Sequence, residues 1–199
     1  SLVKKSLIVM NQEAGRQSRY RFHETIRQYA NEKLTESMDI PRLRDRHLEY
    51  FLNLVETAAP HLILPEQLEW LSTLDAEYEN LRAALKWASS KETAELSLRL
   101  CAALGRYWNI RCYWLEGSKW LVSTLSKSTQ TPSSAENTAR LKALYHDAEI
   151  ASSLDDFERM ITSAKLSLKL AKEGTDRLET AIAGLYVGRA LKRQGEHNQ

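Results

Sequence analysis

The sequence predicts an all-α protein, a solenoid of helical repeats that carries a small β-hairpin at its N-terminus. After residue 22, apolar residues recur at steps of three and four along most of the chain, which is the period of an α-helix. The second half repeats itself with a period of about 40 residues, which is typical of stacked helix–turn–helix units. The 199 residues include only seven glycines and four prolines, which favours helices over a turn-rich β-sandwich.

Composition and charge limit the classes of function. Hydrophobic residues make up 43% and charged residues 27% of the chain, the balance of a soluble globular protein. A net charge of +2 gives no bulk attraction to nucleic acid or membrane, and no apolar run approaches the ~18 residues that a membrane span requires. Cys101 and Cys112 show no C-x-x-C spacing and no nearby histidine cluster, so we expect two reduced, mostly buried thiols and no zinc. These features predict a cytoplasmic protein.

Residues 1–22 are predicted to form the β-hairpin. Leu7–Met10 is an apolar run, a polar stretch with Gly15 follows, and Tyr20–Phe22 returns as a second strand. Against the single acidic residue Glu13, this segment carries five basic ones: Lys4, Lys5, Arg16, Arg19 and Arg21. A nucleic-acid contact through phosphates is one hypothesis for this basic group. The alternative is a solvated hairpin face, because phosphate-binding patches are usually larger and include groups that read bases.

A strand is predicted to lead directly into a helix within the stretch Tyr20–Leu34. Tyr20 and Phe22 alternate with arginines, which is the period of a half-buried strand. From Phe22 onward the apolar residues fall on one helical stripe: Phe22, Ile26, Tyr29, Ala30 and Leu34. The chain is therefore expected to change its type of structure at this point.

Further helices are predicted up to residue 90. One begins at Asp39–Pro41 and ends at Pro60, since proline is favoured in a first turn and disfavoured later. Pro65 is expected to open a short helix, and the apolar residues from Leu71 to Ala88 mark a longer one packed lengthwise on a neighbour.

The repeat is visible when small residues are aligned. Gly105, Ala148 and Gly188 are separated by 43 and 40 residues, and each precedes a predicted turn by seven residues, the last at Gly195–His197. The small residue is interpreted as the place where the two helices of one unit approach closely. We predict five repeat helices, at about residues 92–110, 114–127, 135–152, 156–172 and 176–193.

Capping signals support these bounds. Ser133, Asp155 and Asp176 each precede a glutamate by three residues, the pattern of a capping box. Gly174 is placed to end the helix before it. The repeat region is therefore predicted at residues 91–199, with its last unit incomplete.

Four segments resemble one region of large bacterial regulators: RYRFHETIRQYANEKL, RHLEYFLNLVETAAPHL, DAEYENLRAALKWA and LRLCAALGRYWNIRCYWLEGSKWL. That family is the STAND-type ATPases with an NB-ARC-like motor, including the MalT-like and LuxR-type transcriptional activators. The resemblance implies that residues 1–22 end a winged-helix domain, residues 23–90 form a helical linker, and residues 91–199 begin a domain of tetratricopeptide-like repeats.

The resemblance also implies a fragment of a longer protein. The chain contains no G-x-x-x-x-G-K-[ST] motif, the loop that cradles nucleotide phosphates. No cofactor is therefore expected in these residues, and ATP is expected only for the motor domain of the parent protein. By the same resemblance, the linker would pass binding events to the adjoining ATPase domain.

No catalytic or metal site is predicted. His23, His47 and His146 each neighbour a charged residue, but adjacent residues on a helix point about 100° apart and form no catalytic pair. His47 lies on an apolar stripe and is expected to be partly buried, whereas the other two are expected at the surface or at caps. Asp155–Asp156 is interpreted as a turn and cap with too few neighbouring ligands for a metal ion.

The aromatic cluster of residues 107–120 is the main candidate for binding. Its five rings either line a groove for a sugar or a peptide or fill the core: Tyr107, Trp108, Tyr113, Trp114 and Trp120. We expect Trp108 and Trp120 in the core and Tyr113 and Trp114 exposed at a turn. The candidate residues for a ligand or partner are Tyr107, Tyr113 and Trp114.

The sequence thus favours a non-catalytic sensor or interaction module that binds a protein partner or a small effector on its repeat surface. The last predicted helix, 176–193, carries apolar residues that no following helix would cover: Leu178, Ala181, Ile182, Leu185 and Leu191. We therefore expect either a homodimer through this helix or a frayed C-terminus.

Overall fold

The computed structural model describes residues 7–11, 19–36, 40–92, 94–127, 132–174 and 177–197. Within these residues the chain forms eight helices and one pair of short strands, which confirms the predicted all-α class. The chain divides into two compact units, residues 1–46 and residues 47–199, at a point inside the second helix.

The first unit contains the strands and the first helix. Strands β1 (Ile8–Asn11) and β2 (Arg19–Phe22) pair antiparallel, with Ile8 opposite Phe22 and Asn11 opposite Arg19. The predicted turn with Gly15 lies outside the described residues. Helix α1 (Glu24–Glu36) begins two residues after β2 ends, so the predicted change from strand to helix is confirmed. Phe22 and Tyr29, which belong to the predicted apolar stripe, are exposed.

Seven helices follow: α2 (Ile40–His61), α3 (Gln67–Ser89), α4 (Glu95–Ile110), α5 (Trp114–Leu125), α6 (Ser134–Ser153), α7 (Phe157–Glu173) and α8 (Arg177–His197). In the second unit α3 packs on α4, and α4 packs on both α5 and α6. Helix α6 packs in turn on α7 and α8, and α7 packs on α8. Helices α4, α6 and α8 therefore lie side by side in chain order, and α5 and α7 each pack on the two helices that flank them in sequence.

The main core lies where α2 to α6 meet. Its largest fully buried side chains are Trp108 and Tyr107 on α4, surrounded by leucines from the neighbouring helices. Two smaller cores between α6, α7 and α8 are rich in alanine, which lets these helices pack closely: Ala148, Ala151, Ala164, Ala171, Ala183 and Ala190. The α2–α6 core buries more apolar side chains than either smaller core. It therefore contributes the most stability, because each Å² of buried apolar area stabilises by about 25 cal/mol.

The helix ends confirm two of the predicted signals and correct a third. Ser133 caps α6, since its Oγ accepts a hydrogen bond from the backbone N–H of Glu136 at 2.9 Å. Gly174 ends α7. Helix α7 is capped by Asp156 and not by Asp155, because Asp155 forms the preceding turn with a positive φ of 57°. Aspartate tolerates this left-handed conformation better than most residues. The third predicted cap, Asp176, lies outside the described residues.

Two predicted helix bounds are wrong. Pro65 lies in the turn before α3, and α3 is one continuous helix of 23 residues where we expected two. Helix α8 continues through the turn predicted at Gly195–His197. A single glycine costs a helix only about 1 kcal/mol and does not by itself end it.

The aligned small residues do not share one packing role. A Cβ built on Gly105 would lie 2.2 Å from Cγ of His146 on α6, so the close approach joins α4 to α6 and not to its expected partner α5. A Cβ on Gly188 would meet nothing within 4 Å. Gly105 is therefore required by packing, whereas Gly188 is not.

Candidate functional site

The aromatic cluster joins α3, α4 and α5 and is mostly structural. Tyr107 and Trp108 are 0% exposed, which confirms the core position of Trp108. Tyr107 was expected to contact a ligand, but burial leaves its ring no free surface. Tyr113 is 40% exposed, and Trp114 packs, partly buried, against the core. Trp120 is also partly buried.

Each buried ring of this cluster has a partner for its polar atom. The hydroxyl of Tyr107 donates a hydrogen bond to Asp75 at 2.9 Å, and Nε1 of Trp108 donates to the hydroxyl of Tyr78 at 3.0 Å. Burial raises the pKa of both tyrosines, Tyr78 and Tyr107, so they remain neutral hydrogen-bonding groups. Tyr113 stacks on Tyr78 with ring centroids 5.0 Å apart. The cluster thus fixes the helices, and Tyr113 offers the main exposed ring.

A larger concave surface lies between α2, α4 and α6, and we call it the α2–α4–α6 groove. Its volume is about 920 Å³. The lining comprises Glu56, Ala59 and Pro60 on α2, Arg99, Ala102, Ala103 and Arg106 on α4, and Ser134, Ala135, Thr138, Ala139, Lys142, Tyr145 and His146 on α6. The lining combines small alanines with longer polar side chains.

The charged lining of this groove is mainly basic. Arg99, Arg106 and Lys142 oppose one carboxylate, Glu56. Arg99 donates two hydrogen bonds of 2.7 Å to Glu56, so this pair is largely neutralised. Arg106 forms no hydrogen bond or close ion pair with the side chains described. With three cations and one carboxylate, the lining therefore carries a net positive charge.

A hydrogen-bond network centred on Glu149 adjoins the groove through His146, which lines it. Glu149 lies near Nδ1 of His146 at 2.9 Å and accepts hydrogen bonds from Asn109 at 3.1 Å and from the hydroxyl of Tyr186 at 2.9 Å. These partners join α4, α6 and α8. Burial acts to raise the pKa of Glu149, but the hydrogen bonds with His146 and Tyr186 and the positive charge of Arg106 outweigh it and lower that pKa overall. Glu149 is therefore held as a carboxylate.

The histidines and cysteines differ partly from expectation. His47 is partly buried as predicted, and burial lowers its pKa. His146 is buried against Gly105 and Glu149, although a surface or capping position was expected. Cys101 is buried, but Cys112 is exposed in the turn between α4 and α5, which corrects the expectation of two mostly buried thiols.

The side chains of the basic hairpin lie outside the described part of the structure. Lys4, Lys5 and Arg16 lie outside the described residues, and only the backbones of Arg19 and Arg21 are described, within β2. In the described part of the chain, no group of three or more histidine, cysteine, aspartate or glutamate side chains is placed to hold a metal ion. None of the described helices is long and apolar enough to cross a membrane.

The groove was not predicted from the sequence, although the sequence contains one signal for it. Arg99 and Lys142 are separated by the same 43 residues that separate Gly105 from Ala148. A basic side chain therefore recurs at the same position of two successive units. This spacing could have identified α4 and α6 as neighbours that share a basic face.

Comparison with known proteins gives one group of relatives. The chain is 30% identical over 182 residues to proteins of Mycobacterium tuberculosis and Mycobacterium bovis that are provisionally named HTH-type transcriptional regulators. The match covers 88% of this chain and 20% of each relative, so the chain spans about a fifth of their length. No protein-family profile matches the chain, and no solved structure matches it.

Proposed function

We propose that this chain is the non-catalytic sensor or interaction module of a larger transcriptional regulator. The observation that carries the proposal is the α2–α4–α6 groove, whose lining holds three cations, Arg99, Arg106 and Lys142, and one carboxylate, Glu56. Its ligand is an anionic segment of a protein partner or an anionic small effector. The names of the mycobacterial relatives support the regulatory context.

The architecture of the parent protein is part of the same proposal. The order in which α4 to α8 pack, and the repeated spacing of Arg99 and Lys142, support tetratricopeptide-like repeats. The resemblance of residues 19–121 to STAND-type regulators supports an adjoining ATPase domain of the NB-ARC-like type and a winged helix ending near residue 22. In that arrangement the helices before α4 connect the motor with the groove.

The groove is tested by binding of a fluorescein-labelled hexaglutamate peptide, followed by fluorescence anisotropy at low and at high salt. The double substitution Arg106→Gln and Lys142→Gln removes two positive charges from the groove. We expect it to weaken binding by about tenfold, because two partly exposed charge contacts contribute about 1 kcal/mol or more together. Binding should also weaken as salt is raised.

The matched control is the double substitution Lys119→Gln and Lys165→Gln. Both lysines are exposed, on α5 and α7, and neither lines the groove. The control therefore removes the same two positive charges from the protein but none from the groove. We expect this variant to bind as the unaltered chain does. Equal weakening in both variants would show attraction to overall charge only and would refute the groove as the binding site.

A homodimer through α8 remains a proposal. Leu185 and Leu191 are exposed on α8, whereas Ala183 and Ala190 on the same helix are buried. Light scattering coupled to size-exclusion chromatography measures the mass directly. We expect a dimer that the substitution Leu185→Lys converts to a monomer; a monomer at all concentrations of the unaltered chain would refute the proposal.

A further inference from the structure

His146 on α6 brings a histidine ring to the lining of the α2–α4–α6 groove, and its side chain is only 7% exposed. The ring packs directly against α4, since a Cβ built on Gly105 would lie 2.5 Å from its Cδ2. The ring of Tyr145 meets it edge-on with centroids 4.6 Å apart. Neighbours on two helices therefore hold the ring in one orientation.

The contact with Glu149 determines which ring nitrogen of His146 carries the proton. Nδ1 lies 2.9 Å from a carboxylate oxygen of Glu149. Glu149 is held ionised, since its hydrogen bonds and the charge of Arg106 outweigh the effect of burial on its pKa. An ionised carboxylate only accepts hydrogen bonds, so the proton lies on Nδ1. In the neutral ring, Nε2 is therefore the nitrogen with an available lone pair.

Nε2 of His146 makes no hydrogen bond with any residue that the structure describes. The fully buried polar atoms that lack a partner in the described chain do not include it, so Nε2 keeps accessible surface. Because Nδ1 faces Glu149 and the residue lines the groove, this surface opens onto the groove. An acceptor that is already held in position is favourable for a ligand, because little further ordering is needed when the hydrogen bond forms.

Positive charge lies near this acceptor. Arg106 directly follows Gly105 on α4, and Lys142 lies one helical turn before His146 on α6; both line the groove. An anion is attracted to these two cations, whereas a carboxylate placed at Nε2 itself would meet another acceptor. The complementary ligand therefore carries an anionic group and a separate hydrogen-bond donor.

We propose that the α2–α4–α6 groove binds a carboxylic acid with a neighbouring hydroxyl or N–H group, which donates a hydrogen bond to Nε2 of His146 while the carboxylate faces Arg106 and Lys142. Hydroxy acids present this pair of groups, and so does an acidic residue of a peptide together with a backbone N–H. Glu149 is a positioning residue, because it keeps the proton on Nδ1 and does not touch the ligand. This inference rests on the proposed function of the groove and narrows its ligand class.

The test uses α-hydroxyglutarate and glutarate, two dianions that differ by one hydroxyl group. Each is titrated into the full chain with isotope-labelled histidine rings, and binding is followed by NMR at about pH 8, where histidine is ordinarily neutral. We expect about fivefold tighter binding of α-hydroxyglutarate, which is the gain from one neutral hydrogen bond. Equal affinities would overturn the proposal.

The same spectra report the position of the proton without any variant. A protonated and an unprotonated ring nitrogen differ strongly in nitrogen chemical shift. We expect the proton of His146 on Nδ1 in the free chain, and a shift of the Nε2 signal that α-hydroxyglutarate produces and glutarate does not. A proton on Nε2 in the free chain would show that no acceptor faces the groove and would refute the proposal.

The substitution His146→Asn removes the acceptor. Asparagine can place an amide N–H near the position of Nδ1 and still donate to Glu149, but none of its atoms replaces Nε2. We expect this variant to bind both compounds as the unaltered chain binds glutarate. His47→Asn is the matched control, since His47 on α2 does not line the groove, and it should keep the preference. A preference that survives in His146→Asn would refute the role of His146.

This outcome can be distinguished from the outcome for the proposed function. If hexaglutamate and glutarate bind and depend on Arg106 and Lys142, but α-hydroxyglutarate binds no tighter than glutarate, the anion groove stands and the hydrogen bond to His146 is refuted. If none of these anions binds, the proposed function fails and this inference fails with it. N-acetylglutamate separates the two sources of the donor: tighter binding than α-hydroxyglutarate indicates a peptide, and weaker binding indicates a hydroxy acid.

Discussion

The close contact between α4 and α6 at Gly105 predicts that Gly105→Ala destabilises the protein, although glycine-to-alanine changes in helices usually stabilise. Alanine in place of glycine normally stabilises a helix by about 1 kcal/mol. At Gly105 the added Cβ would lie 2.2 Å from Cγ and 2.5 Å from Cβ of His146. These atoms lie close to the backbone of α6 and cannot swing away, so the two helices must separate.

The magnitude follows from the distances. Carbon atoms prefer about 3.5–4.0 Å, so α4 and α6 must move apart by about 1.3 Å or more, and their other contacts lose about half or more of their dispersion energy. Inserting one extra methyl group into a packed core costs about 1–3 kcal/mol. We place Gly105→Ala at the upper end of that cost, which leaves a net destabilisation of about 2 kcal/mol after the ~1 kcal/mol gain in helix propensity.

Two other glycines provide the controls, and urea unfolding followed by circular dichroism is the assay. A Cβ on Gly117 would lie 2.9 Å from the flexible Cδ1 of Ile150 and 3.0 Å from the ring of Trp108, so Gly117→Ala should lie between the extremes. A Cβ on Gly188 would meet nothing within 4 Å, and Gly188→Ala should stabilise α8 by about 0.5–1 kcal/mol. If Gly105→Ala is as stable as the unaltered chain, the close approach of α4 and α6 is wrong.

Three further predictions concern caps, thiols and pH. Ser133→Ala removes the cap of α6 and should lower the free energy of unfolding by about 1 kcal/mol, whereas Ser133→Thr should retain most of it in thermal unfolding. A thiol reagent should modify Cys112 rapidly and Cys101 only in denaturant, since burial raises the pKa of Cys101 to about 12; two fast thiols would contradict the buried position. Burial acts to raise the pKa of Glu149, but its partners, led by His146, lower that pKa overall from the ordinary value of 4.5. The ionised Glu149 therefore stabilises the folded protein above pH 4.5, and this contribution is lost as the pH falls through the folded-state pKa. Glu149→Gln should therefore cost about 1–3 kcal/mol at neutral pH and less in acid, whereas a cost independent of pH in urea unfolding would contradict the network.

Regular helices and their ends could largely be predicted from the sequence. The periods of apolar residues located the helices between residues 92 and 193 to within a few positions, because a helix must bury one stripe of side chains whatever its partner is. The cap at Ser133 and the end at Gly174 were local features, so neighbouring residues were enough to predict them. The prediction of a turn at Gly195 was wrong because one glycine is a weak signal for the end of a helix when the pattern places no further helix after it.

The site depended on packing that the sequence does not show. Tyr107 and Tyr113 lie six residues apart and both contact Tyr78 on α3, yet the first is fully buried and the second is 40% exposed. Arg106 and Lys142 face one groove only because Gly105 lets α6 lie directly against α4.

The sequence by itself determined the helical class of this protein, the approximate bounds of the repeat helices and the cap of α6. These features follow from interactions within about four residues along the chain. The tertiary structure decided which cations share a groove and which donors reach the carboxylate of Glu149. Those properties depend on distances between residues about 40 positions apart, which the order of residues suggests but only packing fixes.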